Sequence, residues 1–280
     1  MKNDSGIILV NVLVALALGA ALVVLMFTSQ DNLIDRTRRA SAASQAEALA
    51  LGGEASVVVA LRRDMITAPD TDNFTEDWAL IQQEKVQLAT GAFEVQIADA
   101  QAFYDLNQLA ENGLVQTQTL TLLLAQAGLP PQVGQRVIRQ LQTDGPIADI
   151  SQLRDLSPEV RAVLADRVTA LPVKGTVNIN SAPETVLAAV LGNAATAARV
   201  IALRDRQGLV TPDDLMRIGV LEGGGVGFTS DVFDVTVTAE VDGAVVTLTS
   251  RILRLHRTPQ ESDIRVIARH FGPKPSRIES

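Results

Sequence analysis

The sequence contains no cysteine, and its only histidines are His256 and His270. It therefore has no disulfide bond, no thiolate nucleophile and no zinc site with cysteine ligands, and a catalytic triad or a multi-histidine metal site would depend on these two residues. Both histidines lie in segments with a strand pattern and arginines nearby, where ordinary strand positions are expected. The sequence offers no constellation of catalytic residues, and we predict that the chain is not an enzyme.

Aromatic residues are also scarce, at 3% of the chain, and the formal net charge is −8. The acidic balance argues against a dedicated nucleic-acid binder that holds phosphates by bulk charge. Apolar residues nevertheless make up 47% of the 280 positions, which is enough for folded domains with hydrophobic cores.

One long apolar run, residues 7–27, dominates the N-terminal region. Fourteen of these 21 residues are Leu, Ile, Val or Phe, and Asn11 carries the only polar side chain. About 20 such residues span the hydrocarbon core of a bilayer as a helix, so we predict a transmembrane segment. Ala15 and Gly19 are among the small residues that would let another helix approach closely. A plain anchor and a cleaved signal peptide are the alternatives, but this run exceeds the roughly 7 to 15 apolar residues of a signal peptide.

The apolar run continues into a second helical segment, residues 28–64. This segment has no proline and is rich in helix-forming residues, with Gly52 and Gly53 as the only interruptions. Apolar or small residues recur at helical spacing along it, so we predict an amphipathic continuation. One helix over residues 7–63 would be roughly 85 Å long.

Two hairpin patterns lie far apart in the rest of the chain. The first alternates on both sides of the dipeptide Thr90-Gly91, and the second does so around Asp242-Gly243, with a further short strand at 264–270. The helical pattern at 107–220 separates them. The two hairpins can share one sheet only if this helical region is an insertion, which predicts an α+β fold.

The helical region contains a weak internal repeat and several helix-start signals. Asp105-Leu106-Asn107 matches Asn178-Ile179-Asn180. Ser181 to Glu184, with Pro183 at the first helical position, is typical of a capping box, as is Thr211 to Asp214. Pro131 and Pro158 are predicted to open two further helices, and the region would consist of two helix-hairpin-helix-like halves.

A short polar leader ending in Gly6, followed by an apolar helix that becomes amphipathic, resembles the type IV pilin-like prepilins. Within that family, the chain resembles the K-type minor pseudopilins of type II secretion systems. Residues 177–187 (VNINSAPETVL) and 103–113 (FYDLNQLAENG) resemble segments of the helical domain that this branch inserts into the pilin sheet. Asn11 stands where most pilin-like proteins have glutamate, and loss of that glutamate also marks the K-type branch.

The resemblance implies a processing site and a segment order. A prepilin peptidase would cut between Gly6 and Ile7 and methylate the new N-terminus at Ile7. The implied fold is a long N-terminal helix packed on an antiparallel sheet with a large inserted all-α domain of helix-hairpin-helix or SAM-like type. The expected segments are a leader (1–6), a transmembrane helix (7–27), its amphipathic continuation (28–64), the first part of the sheet (65–106), the inserted domain (107–220), the second part of the sheet (221–272) and a tail (273–280).

The resemblance also implies a function. The chain would be a tip subunit of a periplasmic pseudopilus that helps to initiate pseudopilus assembly and the export of folded proteins across the outer membrane. It would join the I-type and J-type minor pseudopilins in a heterotrimer and contact the major pseudopilin. It would span the inner membrane once, with the N-terminus in the cytoplasm and the globular part in the periplasm.

Two alternatives concern other ligands. A membrane-anchored helix-hairpin-helix protein that binds or takes up DNA is the competing function, but residues 107–220 carry ten basic and ten acidic side chains and would release few phosphate counterions. We therefore expect no nucleic acid. No cofactor is required, and calcium is possible at Asp70, Asp72, Glu76 and Asp77, although a solvated acidic loop is the favoured interpretation because the spacing lacks the features of an EF-hand.

Overall fold

The computed structural model describes residues 4–111, 113–220, 225–258 and 261–272. The predicted leader and tail lie partly or wholly outside them, at residues 1–3 and 273–280. The helices are α1 (Asp4–Thr67), α2 (Asp77–Leu80), α3 (Leu114–Gln126), α4 (Pro131–Asp144), α5 (Pro158–Ala165), α6 (Glu184–Val190), α7 (Ala194–Gln207) and α8 (Pro212–Arg217). The strands are β1 (Gln83–Leu88), β2 (Gly91–Asp99), β3 (Tyr104–Asp105), β4 (Val168–Thr169), β5 (Val177–Asn178), β6 (Val226–Gly227), β7 (Val232–Val241), β8 (Ala244–Thr258) and β9 (Glu261–Phe271).

The helix α1 is continuous over 64 residues, about 96 Å. Its C-terminal part packs on the sheet through a stripe at helical spacing, and the buried members are Ala46, Ala50, Val57 and Leu61. Leu33 and Ala40, which the sequence places on the same stripe, are exposed, because the sheet does not extend that far toward the N-terminus. Gly53 lies so close to the sheet that a Cβ atom there would come within 2.7 Å of Val237.

The strands on both sides of the inserted helical region form one five-stranded sheet in the order β1-β2-β7-β8-β9, and every neighbouring pair is antiparallel. Strands β2 and β7, which the insertion separates along the chain, pair from Ala92 with Glu240 to Asp99 with Phe233. Helix α1 covers one face of this sheet, and the core between them includes Trp78 and Phe233. The predicted α+β, pilin-like fold class is confirmed.

The turn of the first hairpin differs from the prediction. Leu88 pairs with Gly91, so the two-residue turn is Ala89-Thr90 rather than Thr90-Gly91. Gly91 is instead the first residue of β2, where a Cβ atom would lie 2.3 Å from the carbonyl oxygen of Glu240. Glycine is therefore required there by the neighbouring strand. The Asp242-Gly243 turn forms as predicted, with φ of 47° and 80° at its two residues.

Helices α3 to α8 enclose a separate hydrophobic core that includes Leu106, Leu123, Leu164, Val186 and Val200. Two helix pairs, α3 with α4 and α6 with α7, are each joined by a turn that contains a left-handed glycine, Gly128 or Gly192. The predicted helix starts at Pro131, Pro158 and Thr211 occur, and the Thr211–Asp214 capping box is complete.

The capping box predicted at Ser181–Glu184 is wrong. Pro183 is the residue before α6, not its first residue, and no side chain caps this helix. The hydroxyl of Ser181 donates instead to the carboxylate of Asp99 at the end of β2. The Ser181 side chain therefore bonds to a residue far away in the sequence, although the local pattern predicts that it caps the helix.

Candidate functional site

The part of α1 that precedes the sheet carries exposed side chains. Every side chain described from Leu9 to Ser41 is exposed. Asn11, Ala15 and Gly19 follow one another at four-residue spacing, so they share a face of the helix, and a Cβ atom at Gly19 would meet nothing within 4 Å. The helix from Leu9 is long and apolar enough to cross a membrane, since its most apolar 18-residue window has a mean hydropathy of 2.7 and is not buried. This face is available to another helix.

The expected processing site lies at the very start of α1. Gly6 and Ile7 belong to the helix that begins at Asp4. The first four N–H groups of a helix lack intrahelical acceptors, so this turn unwinds more readily than the rest of α1.

Asn178, Asn180 and Pro183 form the predicted motif of the inserted domain, and the two asparagines are fully buried and have different partners. The Asn180 side chain donates to the carbonyl oxygen of Val210 at 3.2 Å and accepts from its N–H at 2.7 Å, so it ties together the two ends of the α6–α7 unit. The Asn178 side chain donates to the backbone carbonyl oxygen of Asp72 and to the carboxylate of Asp99, which both lie outside the inserted domain. Pro183, the third motif residue, only precedes α6.

The first half of the repeat has the same pair of hydrogen bonds between an asparagine side chain and one backbone residue. Asn107 accepts from the N–H of Ile147 and donates to its carbonyl oxygen, both at 2.9 Å. Ile147 and Val210 each come two residues after the glycine that ends a long helix, Gly145 or Gly208. The weak sequence repeat therefore corresponds to two units closed by the same asparagine clamp.

A buried polar cluster lies where α1, the sheet and the inserted domain meet. We call it the junction cluster, and its members are Asp64, Asp72, Asp99, Asn178, Ser181, Ser230 and Arg254. All seven have relative exposures of 7% or less. It holds three carboxylates and one guanidinium inside the protein, an arrangement that is stable only when the charges are paired and hydrogen-bonded.

Arg254 is the cation of this cluster. Its guanidinium donates to Asp64 at 2.8 Å, to Asp72, and to the carbonyl oxygen of Ser230 at 2.9 Å. It also lies over the ring of Phe233, with 4.8 Å between the guanidinium carbon and the ring centroid. Arg254 thus joins the end of α1 to β8 and to the loop that follows α1.

Asp99 is the acceptor on the other side of the cluster. One of its oxygens accepts from Asn178 at 2.9 Å, from Ser230 at 2.6 Å and from Ser181. The other accepts from the N–H of Gln101 at 2.7 Å. Three elements from different parts of the chain therefore converge on one carboxylate.

Burial dominates the electrostatics of these carboxylates. Loss of solvation raises the pKa of Asp72 to about 8, although Arg254 favours the ionised form. Burial raises the pKa of Asp64 and of Asp99 in the same direction. The opposite case is Glu54 on α1, where hydrogen bonds from Arg269 and Ser250 outweigh burial and lower the pKa.

The predicted solvated acidic loop is wrong for Asp72, which has no exposed surface. Asp72 and Glu76 come together with Asp64, and their oxygens lie within 4.8 Å of one another, whereas Asp70 and Asp77 remain exposed. Glu76 accepts hydrogen bonds from Thr71, Trp78 and both nitrogens of Asn73, and the two aspartates bind Arg254. Calcium at this place remains a prediction, and a calcium ion would have to compete with that guanidinium.

Sequence reasoning missed Arg254 as a site residue. The signal for it is the alternation along β8: Leu248, Ser250 and Ile252 are buried, and Arg254 continues this period of two. An arginine at an inward strand position requires buried carboxylates as partners, and that requirement could have singled it out.

Residues 177–236, which contain Asn178, Ser181 and Ser230, match the family model described as "Type II secretion system (T2SS), protein K". The predicted resemblance to protein K is confirmed. A comparison with curated protein sequences finds no match.

A solved structure shares the fold of this chain. A chain in the crystal structure of the GspK-GspI-GspJ complex from the enterotoxigenic Escherichia coli type 2 secretion system superimposes with a TM-score of 0.67. The match covers 85% of the present chain and 100% of that chain, at 20% sequence identity. At this level of identity the superposition shows a shared fold.

Proposed function

We propose that this chain is a minor pseudopilin that caps a periplasmic pseudopilus and helps to start its assembly, and thereby the export of folded proteins across the outer membrane. The observation that carries the proposal is the protein K match, because it falls on the motif that joins the inserted domain to the sheet. Its partners would be the I-type and J-type minor pseudopilins, the major pseudopilin and the prepilin peptidase.

The N-terminal helix supports a position at the tip. After cleavage, Asn11 would be the fifth residue of the mature chain. An asparagine offers no negative charge to the ammonium group of a subunit placed above it, so the chain loses no ion pair by having no subunit there. The open face at Asn11, Ala15 and Gly19 still allows close packing with helices at its side.

The same helix supports the location in the membrane. We place residues 7–27 across the inner membrane, with the N-terminus in the cytoplasm and the sheet and inserted domain in the periplasm. The helix continues without interruption from this segment to the sheet, so the globular part would stand on a rigid stem.

Replacement of Gly6 tests the proposal. Gly6→Leu should block removal of residues 1–6 and methylation of Ile7 when the peptidase is co-expressed, and intact-mass spectrometry of the purified chain reads out both changes. Gly19→Leu is the matched control, because it changes a glycine of the same helix away from the cleaved bond and should be processed normally. Normal maturation of Gly6→Leu would refute the proposed processing.

A second experiment addresses assembly. The processed chain should co-purify from membranes with the I-type and J-type minor pseudopilins, and the Gly6→Leu chain should recover much less of them. Equal recovery would show that processing is not needed for the complex. Salt-dependent binding of duplex DNA by the full chain would favour the competing function instead.

A further inference from the structure

The junction cluster links the stem helix to the inserted domain through a series of hydrogen bonds and ion pairs. From α1, Asp64 binds Arg254 of β8, and Arg254 binds the backbone of Ser230. Ser230 donates to Asp99 at 2.6 Å, and Asp99 accepts from Asn178 of the inserted domain at 2.9 Å. This chain of charged and charge-assisted hydrogen bonds is continuous and almost completely shielded from water.

Asn178 is the residue of the inserted domain at which this series of hydrogen bonds ends. Its side-chain nitrogen also donates to the backbone carbonyl oxygen of Asp72 at 2.9 Å and lies 3.0 Å from the hydroxyl of Ser230. One amide group from the inserted domain therefore contacts the loop after α1, the end of β2 and the segment that leads into β7.

The two polypeptide connections between the sheet and the inserted domain are fixed as well. Gln101, in the connection that leaves β2, accepts from the N–H of Asp231 at 2.6 Å, in the connection that returns to β7. It also donates to the carbonyl oxygen of Thr176 at 3.0 Å. On the exposed side, Arg251 of β8 donates to the carbonyl oxygen of Ala170 at 2.8 Å. Hydrogen bonds therefore tie the two connections to each other and the inserted domain to β8.

We propose that the junction cluster makes the stem helix and the inserted domain one rigid body, with Asn178 as the positioning residue that couples them. A displacement of the stem, such as a push from subunits added beneath it, is then passed to the inserted domain without loss at a hinge. The source of the push rests on the proposed function, but the rigidity is a property of the chain itself.

The absence of cysteine from the sequence makes this measurable. Pairs of spin labels can be attached to introduced cysteines in the full chain. The labelled chain is reconstituted in nanodiscs, and the distribution of distances between the two labels is measured by pulsed electron paramagnetic resonance. Ser44 on the stem and Gln126 on the inserted domain, both exposed, form the pair across the junction. Gln126 with Ala198 forms a reference pair within the inserted domain.

In the wild-type chain, the distribution across the junction should be as narrow as that within the inserted domain. Asn178→Ala should broaden the first by about twofold and leave the second unchanged. Asn180→Ala is the matched control, because Asn180 is equally buried in the same motif but bonds only within the inserted domain. It should leave the distribution across the junction narrow.

A broad wild-type distribution across the junction would overturn the rigid coupling, and a narrow one in a folded Asn178→Ala chain would overturn the role of Asn178. If Asn178→Ala does not fold, Ser181→Ala removes one donor to Asp99 and should broaden the distribution to a smaller extent; no change in that variant would also count against the cluster. These outcomes are independent of Gly6 processing, so this inference and the proposed function can fail separately.

Discussion

Arg254 offers the sharpest test of how the interior is stabilised. The change is Arg254→Met, which keeps an unbranched apolar side chain of similar length over Phe233 but removes the guanidinium. Asp64 and Asp72, both 1% exposed or less, would then lose a hydrogen-bond donor and, in a buffer above the Asp72 pKa of about 8, the cation that compensates their charge. Removing one partner of a buried ion pair costs about 3–5 kcal/mol. At about 2–4 °C per kcal/mol for a domain of this size, the melting temperature should fall by roughly 6–20 °C.

The assay can use the protein's only tryptophan. Trp78 packs against Phe233, with 5.1 Å between ring centroids, so its fluorescence reports on the structure beside Arg254 during thermal unfolding of the full chain in detergent. The control is Arg265→Met, in which an arginine that is 69% exposed loses its ion pair with Asp263, and it should cost about 1 kcal/mol or less. Adding Asp72→Asn to Arg254→Met should recover part of the loss. If the two single variants melt within about 2 °C of each other, the argument from buried charge is wrong.

Three further predictions concern the same fold. The folded-state pKa of Asp72, about 8, lies above its ordinary value of 3.8, so between these values the folded state binds a proton that the unfolded state has lost. The free energy of unfolding should therefore fall as pH rises toward 8, by up to about 1.4 kcal/mol per pH unit. Urea unfolding at several pH values should show that it falls less steeply with pH in Asp72→Asn. Gly52→Ala should stabilise α1 by about 0.5–1 kcal/mol, whereas Gly53→Ala should be less stable than Gly52→Ala by about 1–3 kcal/mol because of the contact with Val237, and equal melting temperatures would contradict this. Thr211→Ala should cost about 1 kcal/mol by removing the capping box of α8, measured by urea unfolding, with Thr211→Ser as a near-neutral control.

Most of the features that depend on neighbours along the chain could be predicted from the sequence, although the first hairpin turn lies one residue earlier than predicted. The long helix, the Asp242-Gly243 turn and the helix starts at Pro131 and Thr211 follow from periodicity, turn chemistry and capping, which are local. The shared sheet also follows, since two hairpins around a helical region leave few other arrangements.

Predictions from local patterns were wrong where a side chain bonds to a residue far away in the sequence. Ser181 has the sequence of a helix cap, but Asp99, 82 positions earlier, accepts its hydroxyl. Asp72 lies in a strongly acidic stretch that favours solvent exposure, yet Arg254 binds it from 182 positions later. No window of a few residues contains either partner, so the junction cluster could not be assembled from the sequence pattern.

The split sheet has a consequence for how this protein is made. Asp99 and Ser230, which bond across the junction, are 131 residues apart along the chain. Strand β2 thus has no neighbour on its inner side until β7, residues 232–241 of 280, has emerged, while the helices of the inserted domain lie close together along the chain. Because closing so long a loop is slow compared with forming local contacts, the inserted domain should fold first as the polypeptide emerges, and the sheet, on which the C-terminal part of α1 packs, should be completed last.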